Sequence, residues 1–184
     1  TGENQYQSEE RTMKDAFIRN KFIKMPRVLY LHLKRFQIDI ATNQSIKINS
    51  FFRFYKSINL TKYVADEILQ STESNYADMK GNTEDFESDK YQYNLFGILV
   101  HSGTSMSGHY MAYLKPKMED KWYQFNDSFV KEVDEETAIN ENFGGIDKTS
   151  SAYMLIYIKQ TDEKNLFHEF ENEAIPKEII DRIK

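Results

Sequence analysis

The chain of 184 residues contains no cysteine, so disulfide bonds and thiolate zinc sites are excluded within it. No apolar run approaches the length of a membrane-spanning helix, and the N-terminus lacks the apolar core of a secretory signal. Positive charge is not in excess. With 24 Lys and Arg against 29 Asp and Glu, the formal net charge is −5, and no strong phosphate-neutralising surface for nucleic acid is implied. The four histidines, His32, His101, His109 and His168, lack ligand spacing on a single element, which argues against a metal site. There is no internal repeat. The one biased tract, acidic and rich in Ser and Asn from about 66 to 90, reads as a solvated loop insert rather than a docking segment. These absences leave an intracellular chain, in cytoplasm and/or nucleus, with no cofactor and neither nucleic acid nor membrane as partner.

What is present points to a sheet. Hydrophobic residues make up 40% of the chain and aromatics 14%, with 13 Phe and 12 Tyr, enough for one domain with a real core. The run from Glu9 to Asn20 has good helix formers, acids first and bases last, which predicts a short helix. From Arg27 to Phe36, Leu29, Leu31, Leu33 and Arg35 alternate with Val28, Tyr30, His32 and Lys34, a half-buried or central strand in which His32 is structural. Gln37 to Asn43 reads as a hairpin loop. A strand follows from Ser45 to Tyr55, with Phe51, Phe52 and Phe54 competing for burial. Asn59-Leu60-Thr61 is placed to cap a short helical turn through Val64 and Ile68. Later come a strand at Phe129–Val133, a helical stretch at 135–139 stopped by Gly144-Gly145, and a strand at Ser151–Lys159. Leu166, Phe167 and Phe170 are the apolar anchors of the polar stretch 161–173. Ile175-Pro176 opens a last helix over 175–184, separating it from a unit spanning 1–174.

The stretch from Tyr93 to Asp127 organises the rest. Tyr93–Val100 is an apolar strand, His101 to Gly108 is small and polar apart from Met106 and reads as a loop, and His109 opens an aromatic strand. A further strand, Lys121–Phe125, ends in Asn126-Asp127. A histidine at a strand start, with a carboxamide and a carboxylate at the end of the next strand, is the pattern of a general base with an orienting partner.

Taken together, His101-Ser102-Gly103, the loop, Gly108-His109-Tyr110 and Trp122-x-x-Phe125-Asn126-Asp127 resemble the histidine box of the ubiquitin-specific proteases, which are papain-like cysteine deubiquitinases. The strand Pro26 to Phe36 resembles a second signature of that family. Ser45-Ile46-Lys47-Ile48-Asn49, Phe143-Gly144-Gly145 and Ala152-Tyr153-Met154-Leu155 are similar to its herpesvirus-associated branch. The likeness runs from Phe22 to Ile183.

The resemblance implies an α+β fold of the papain-like cysteine protease type, with a mostly antiparallel β palm, part of the fingers, a few short helices and no thumb. It implies that His109 is the catalytic base and Asn126 its orienter, with Asp127 as a secondary candidate; the branch carries aspartate where Asn126 stands. Tyr110, Tyr153, Phe36, His101 and Gly108 would line the passage for the ubiquitin tail, and the loop at 103–108 would gate it. The partners implied are ubiquitin, ubiquitinated proteins and an upstream thumb segment of the same protein that carries the nucleophilic cysteine. Thr1-Gly2-Glu3 offers no initiator methionine, which fits a C-terminal portion of a catalytic domain, inactive alone. The rival expectation is a catalytically inactive ubiquitin-binding or scaffold protein derived from such an enzyme.

Overall fold

In the computed structural model of the protein, residues 5–7, 12–15, 19–65, 90–116, 121–167, 178–179 and 181 are described. They fall into two units, Thr1–Met25 with Lys62–Gly81, and Pro26–Thr61 with Asn82–Lys184. The first unit contains two short strands, β1 (Tyr6–Gln7) and β2 (Met13–Lys14), paired antiparallel. Gln5 donates to Asp15 at 2.9 Å just outside the pair. In the same unit Phe22 bridges in parallel to Val64, which is buried. The helix expected over Glu9–Asn20 is therefore not formed at Met13–Lys14. A twelve-residue helix is marginal without a packed face, and strand pairing wins here; residues 9–11 and 16–18 of that stretch lie outside the described residues.

The second unit carries the remaining strands: β3 (Val28–His32), β4 (Phe36–Asp39), β5 (Gln44–Lys47), β6 (Ser57–Asn59), β7 (Gln92–Gly103), β8 (Gly108–Leu114), β9 (Trp122–Asn126), β10 (Phe129–Val133) and β11 (Ser150–Lys159). Two short helices accompany them, α1 (Glu135–Ala138) and α2 (Glu163–Leu166). The main sheet runs β10-β9-β8-β7-β11-β3, and every pairing in it is antiparallel. β6 pairs with Gln92–Asn94 of β7, and β8 with Gly97–Gly103, so the two share one edge of the long strand in succession. This is the α+β, mostly antiparallel class expected from the sequence.

The core lies where β7 meets β11. Tyr93, Ile98, Val100, Ala152, Leu155 and Tyr157 are all but sealed from solvent. Burial of a phenol requires a partner for its hydroxyl. Tyr93 donates to Pro26 O at 2.5 Å and Tyr157 to Tyr55 O at 2.6 Å. Burial pushes both phenols up to about 12. At the far end of the sheet Asp134 caps α1 by accepting from the Thr137 N–H at 2.7 Å, which holds its carboxyl below the usual range. Asn59 likewise accepts from the Thr61 N–H at 3.0 Å, opening the expected helical turn, here a 3-10 turn over Thr61–Tyr63.

Three strand boundaries differ from the sequence reading, and one residue accounts for two of them. Arg27–Phe36 is not one strand. β3 stops at His32, and a three-residue turn, Arg35 N–H to Leu33 O at 2.7 Å, swings Arg35 inward before β4 begins. β4 and β5 then form their own two-stranded ribbon, with Asn43 at φ 53 in the connecting turn, so the expected hairpin loop shrinks to 40–43. The strand expected from Ser45 to Tyr55 ends at Lys47, because the next backbone groups bond elsewhere. Arg35 takes Ile48 O at 3.2 Å and Ser50 O at 2.6 Å, Gly145 N–H reaches Asn49 O at 2.7 Å, and Phe52 N–H reaches Phe143 O at 2.8 Å. Of the three competing phenylalanines, Phe54 is buried against Phe143 at 4.9 Å between ring centres, while Phe51 and Phe52 stay exposed. The third boundary is the loop after β7. His101-Ser102-Gly103 belongs to the strand, leaving a four-residue turn, 104–107.

The acidic insert and Phe170 lie outside the described residues, as does the start of the last helix; Glu178, Ile179 and Asp181 are helical. Phe167 is anchored on Phe96, 5.4 Å between ring centres.

Candidate active site

The turn at 104–107 is closed by its own groups. Thr104 N–H donates to Ser107 O at 2.8 Å, the Thr104 hydroxyl accepts from Ser107 N–H at 3.1 Å, and the Ser105 hydroxyl reaches across to Ser45 O. It is a tight Thr-Ser turn of the kind these side chains favour, joined to the β4–β5 ribbon. Gly103, at φ +111, would put a Cβ 2.6 Å from Ser107 O, and a Cβ on Gly108 would lie 2.1 Å from His101 Nε2. Both ends of the turn therefore require glycine.

β8 leaves this turn with His109 as its second residue. Side chains alternate along it, so His109 and Met111 share one face and Tyr110 and Ala112 the other. Ala112 is paired with Phe125, which sets Asn126 diagonal to His109 on the same face, within reach of a long side chain. The two meet: His109 Nε2 and Asn126 Oδ1 are 2.5 Å apart. Asp127 is the next residue, at φ 51 in the two-residue turn between β9 and β10, a conformation Asp tolerates. Its carboxylate stands 3.9 Å from the same Nε2 and is 78% exposed, against 47% for the His109 side chain. Asn126, not Asp127, holds the ring. A carboxamide oxygen accepts only, so Nε2 carries the proton in the neutral ring and the Nδ1 lone pair is left as the basic site.

The opposite face of β8 enters a chain of rings. Phe36 lies 5.0 Å from His101, His101 4.8 Å from Tyr110, Tyr110 5.4 Å from Tyr153, and Tyr153 6.3 Å from His32, all between ring centres. Tyr153 takes its place through an irregularity in β11, where the register with β7 shifts between Ala152 and Met154; such bulges re-aim a side chain. Phe36, Ser45, His101, Gly108 and Tyr110, with the 104–107 turn, line a cleft of about 400 Å³. The structure thus brings together His109 with Asn126, and Phe36, His101, Gly108 and Tyr110 at one cleft, with Tyr153 adjoining through Tyr110.

His101 is 4% exposed, and its Nδ1 has no hydrogen-bond partner among the described residues. Burial, then the charge of Lys47, lowers its pKa from the ordinary 6.5. A base with a depressed folded-state pKa binds its proton more readily when unfolded. The contribution to stability is full above the unfolded value of about 6.5 and is lost as pH falls through that value toward the folded one. The thermal midpoint should therefore drop between pH 7 and pH 5 by more in the native protein than in His101→Gln; equal drops in a melting series would contradict this.

Sequence reasoning passed over Arg35. It is 4% exposed, with no carboxylate partner among the described residues, and donates to four carbonyls: Ala152 O at 3.0 Å, Ile48 O at 3.2 Å, Ser50 O at 2.6 Å and Phe143 O at 3.2 Å. Burial lowers its pKa. The signal was available, since Arg35 continues the inward-facing series Leu29, Leu31, Leu33, where a charge is out of place.

An α+β chain with an antiparallel sheet, an imidazole held by a carboxamide and an aromatic cleft beside it now has a family. The family model described as Ubiquitin carboxyl-terminal hydrolase matches residues 3–157. The chain is 34% identical over 203 residues to Ubiquitin carboxyl-terminal hydrolase 15 of Saccharomyces cerevisiae, which covers all of this chain and 16% of that protein. It is 34% identical over 189 residues to Ubiquitin carboxyl-terminal hydrolase 7 of Drosophila melanogaster, covering 99% of this chain and 15% of that one. Ubiquitin C-terminal hydrolase 13 of Arabidopsis thaliana is 28% identical over 200 residues, with 100% and 17% covered. The chain belongs to the ubiquitin carboxyl-terminal hydrolase family, and it spans about one sixth of the length of these curated relatives. The match begins near the N-terminus, ahead of Phe22, where legible motifs start.

Proposed function

We propose that this chain is the C-terminal, base-bearing part of the catalytic domain of a thiol-dependent deubiquitinase, which cleaves the peptide or isopeptide bond after the last glycine of ubiquitin. The observation that carries the reading is the 2.5 Å contact between His109 Nε2 and Asn126 Oδ1 beside an aromatic cleft. The family fits this reaction, and the absence of cysteine fits a nucleophile on another segment of the protein, the thumb. The motifs at Ser45–Asn49 and 143–145 support a place for it in the herpesvirus-associated branch.

In this reading Asn126 fixes the ring so that Nδ1 faces the thiol. Nδ1 takes the thiol proton, and the thiolate attacks the carbonyl carbon of the scissile amide. As the tetrahedral intermediate collapses, the C–N bond breaks and the imidazolium Nδ1–H passes its proton to the leaving lysine amine. A thioester remains. Water, deprotonated by the same nitrogen, then releases the ubiquitin carboxylate and the thiol. The carboxamide orients the ring without adding charge to it; Asp127 at 3.9 Å supplies a secondary, solvent-screened attraction to the imidazolium. The rings of Phe36, His101, Tyr110 and Tyr153, with Gly108, form flat walls for a tail ending in two glycines.

The test is to treat the full-length protein with ubiquitin carrying a C-terminal vinyl sulfone. A covalent adduct that prior thiol alkylation prevents supports the enzyme. Ubiquitin binding without an adduct favours the non-catalytic scaffold, and neither binding nor adduct contradicts both.

A further inference from the structure

The cleft has two walls on different elements. One is the β4–β5 ribbon, through Phe36 and Ser45; the other is the end of β7 and start of β8, through His101, Gly108 and Tyr110. Lys47, the last residue of β5, is paired across the ribbon with Phe36, whose ring lies against His101. Its ammonium reaches to the second wall and donates to three main-chain carbonyls: His101 O at 2.8 Å, Gly103 O at 3.2 Å and Thr149 O at 2.5 Å. An ammonium has three protons, and three carbonyls converge on it. No carboxylate among the described residues pairs with it, so its charge is met by carbonyl dipoles alone. That is an expensive way to hold a side chain in place if an apolar residue would do. Thr149 O also receives the Gly103 N–H at 3.1 Å, so the same oxygen ties the turn to the chain entering β11.

We propose that Lys47 is a positioning residue, an ammonium clip that fixes the spacing of the two cleft walls and thereby the affinity for the ubiquitin tail. The inference rests on the deubiquitinase reading for its substrate, though not for its geometry. Two properties of the site follow from it. The clip bonds to the carbonyl of His101 itself, so the imidazole cannot retreat from Phe36 and Tyr110. Burial is the larger cause of the lowered pKa of His101, and the ammonium adds to it by opposing a positive charge on that ring. Around His101 the facing groups are Lys47 from β5, Phe36 from β4 and Tyr110 from β8; Lys47 itself also feels Arg35. Neither cation is met by an acid among the described residues.

The experiment uses full-length protein with isotope-labelled histidine, in native, Lys47→Met and Lys47→Arg forms. Methionine keeps the unbranched stem, one atom shorter, and removes the charge and all three donors; arginine keeps the charge and several donors. On a ubiquitin–dye amide, Lys47→Met is expected to raise KM by about 10-fold with kcat changed by no more than about threefold, and Lys47→Arg to recover most of the loss. The NMR titration of His101, assigned by its loss in His101→Gln, should move to higher pH in Lys47→Met and stay near the native value in Lys47→Arg. A fall in kcat at unchanged KM, or a KM defect equal in both variants, overturns the clip. So does a His101 titration that Lys47→Met does not move. If the native protein leaves every ubiquitin substrate intact, the functional reading fails, and the histidine titration still decides for or against the clip.

Discussion

Replacing His109 with alanine in the full-length protein is expected to lower kcat on ubiquitin amides by about 10³-fold or more, the upper range for loss of a general acid–base. In the proposed mechanism one nitrogen serves thiol activation and amine protonation, so both halves of the first step would lose their proton carrier together. Asn126→Ala should be milder. It removes one hydrogen bond to the ring, of the order of 1–3 kcal/mol, so about 10- to 100-fold in kcat. Asp127→Ala should matter least, because a carboxylate 3.9 Å away and largely in water is screened. Single-turnover rates with the three variants check the ranking. Asp127→Ala falling below Asn126→Ala would transfer the orienting role to the carboxylate.

Replacing Arg35 with methionine should have the largest effect on stability. Of its four acceptors, Phe143 O keeps a second donor, the Phe52 N–H at 2.8 Å. Ile48 O and Ser50 O receive no other hydrogen bond among the described residues. Two carbonyls left bare at 1–3 kcal/mol each put the loss at about 3 kcal/mol, in exchange for a well-packed apolar side chain. The Ile48 amide, bonded to Arg35 O at 2.7 Å, and the Phe52 amide report on this region directly. Their hydrogen exchange should accelerate by about 10²-fold in Arg35→Met. Unchanged protection of both would mean that the guanidinium is not what ties 48–50 to the sheet.

How much of this was readable beforehand depended on whether a residue's fate is set locally. Alternation marked β3, and continuous apolar runs marked β7 and β11, because burial acts on each residue in turn. Asn59 did what its side chain does at a helix start. Local pattern failed where a distant partner decides. Phe51, Phe52 and Phe54 are equivalent by type, and although Phe51 and Phe54 both lie against Phe143, at 5.6 Å and 4.9 Å between ring centres, Phe54 alone is buried. The break after His32 comes where the Arg35 N–H turns back onto Leu33 O at 2.7 Å, aiming a guanidinium at carbonyls of residues 48, 50, 143 and 152 that lie elsewhere in the chain. At the site, the sequence placed His109 and Asn126 as partners, and the diagonal register of β8 on β9 brings them into contact. It did not anticipate Lys47, a lysine in a strand whose significance lies entirely in three carbonyls from other segments.

In the proposed mechanism the free nitrogen of the His109 ring serves a thiol elsewhere in the protein. The most direct measurement of this is the rate of alkylation of that thiol by iodoacetamide as a function of pH, in full-length native protein and in His109→Ala. The native thiol should react well below the ordinary cysteine range, as an imidazole-paired thiolate, and the variant only near the free-thiol value of about 8.5. Identical profiles for the two proteins would contradict it.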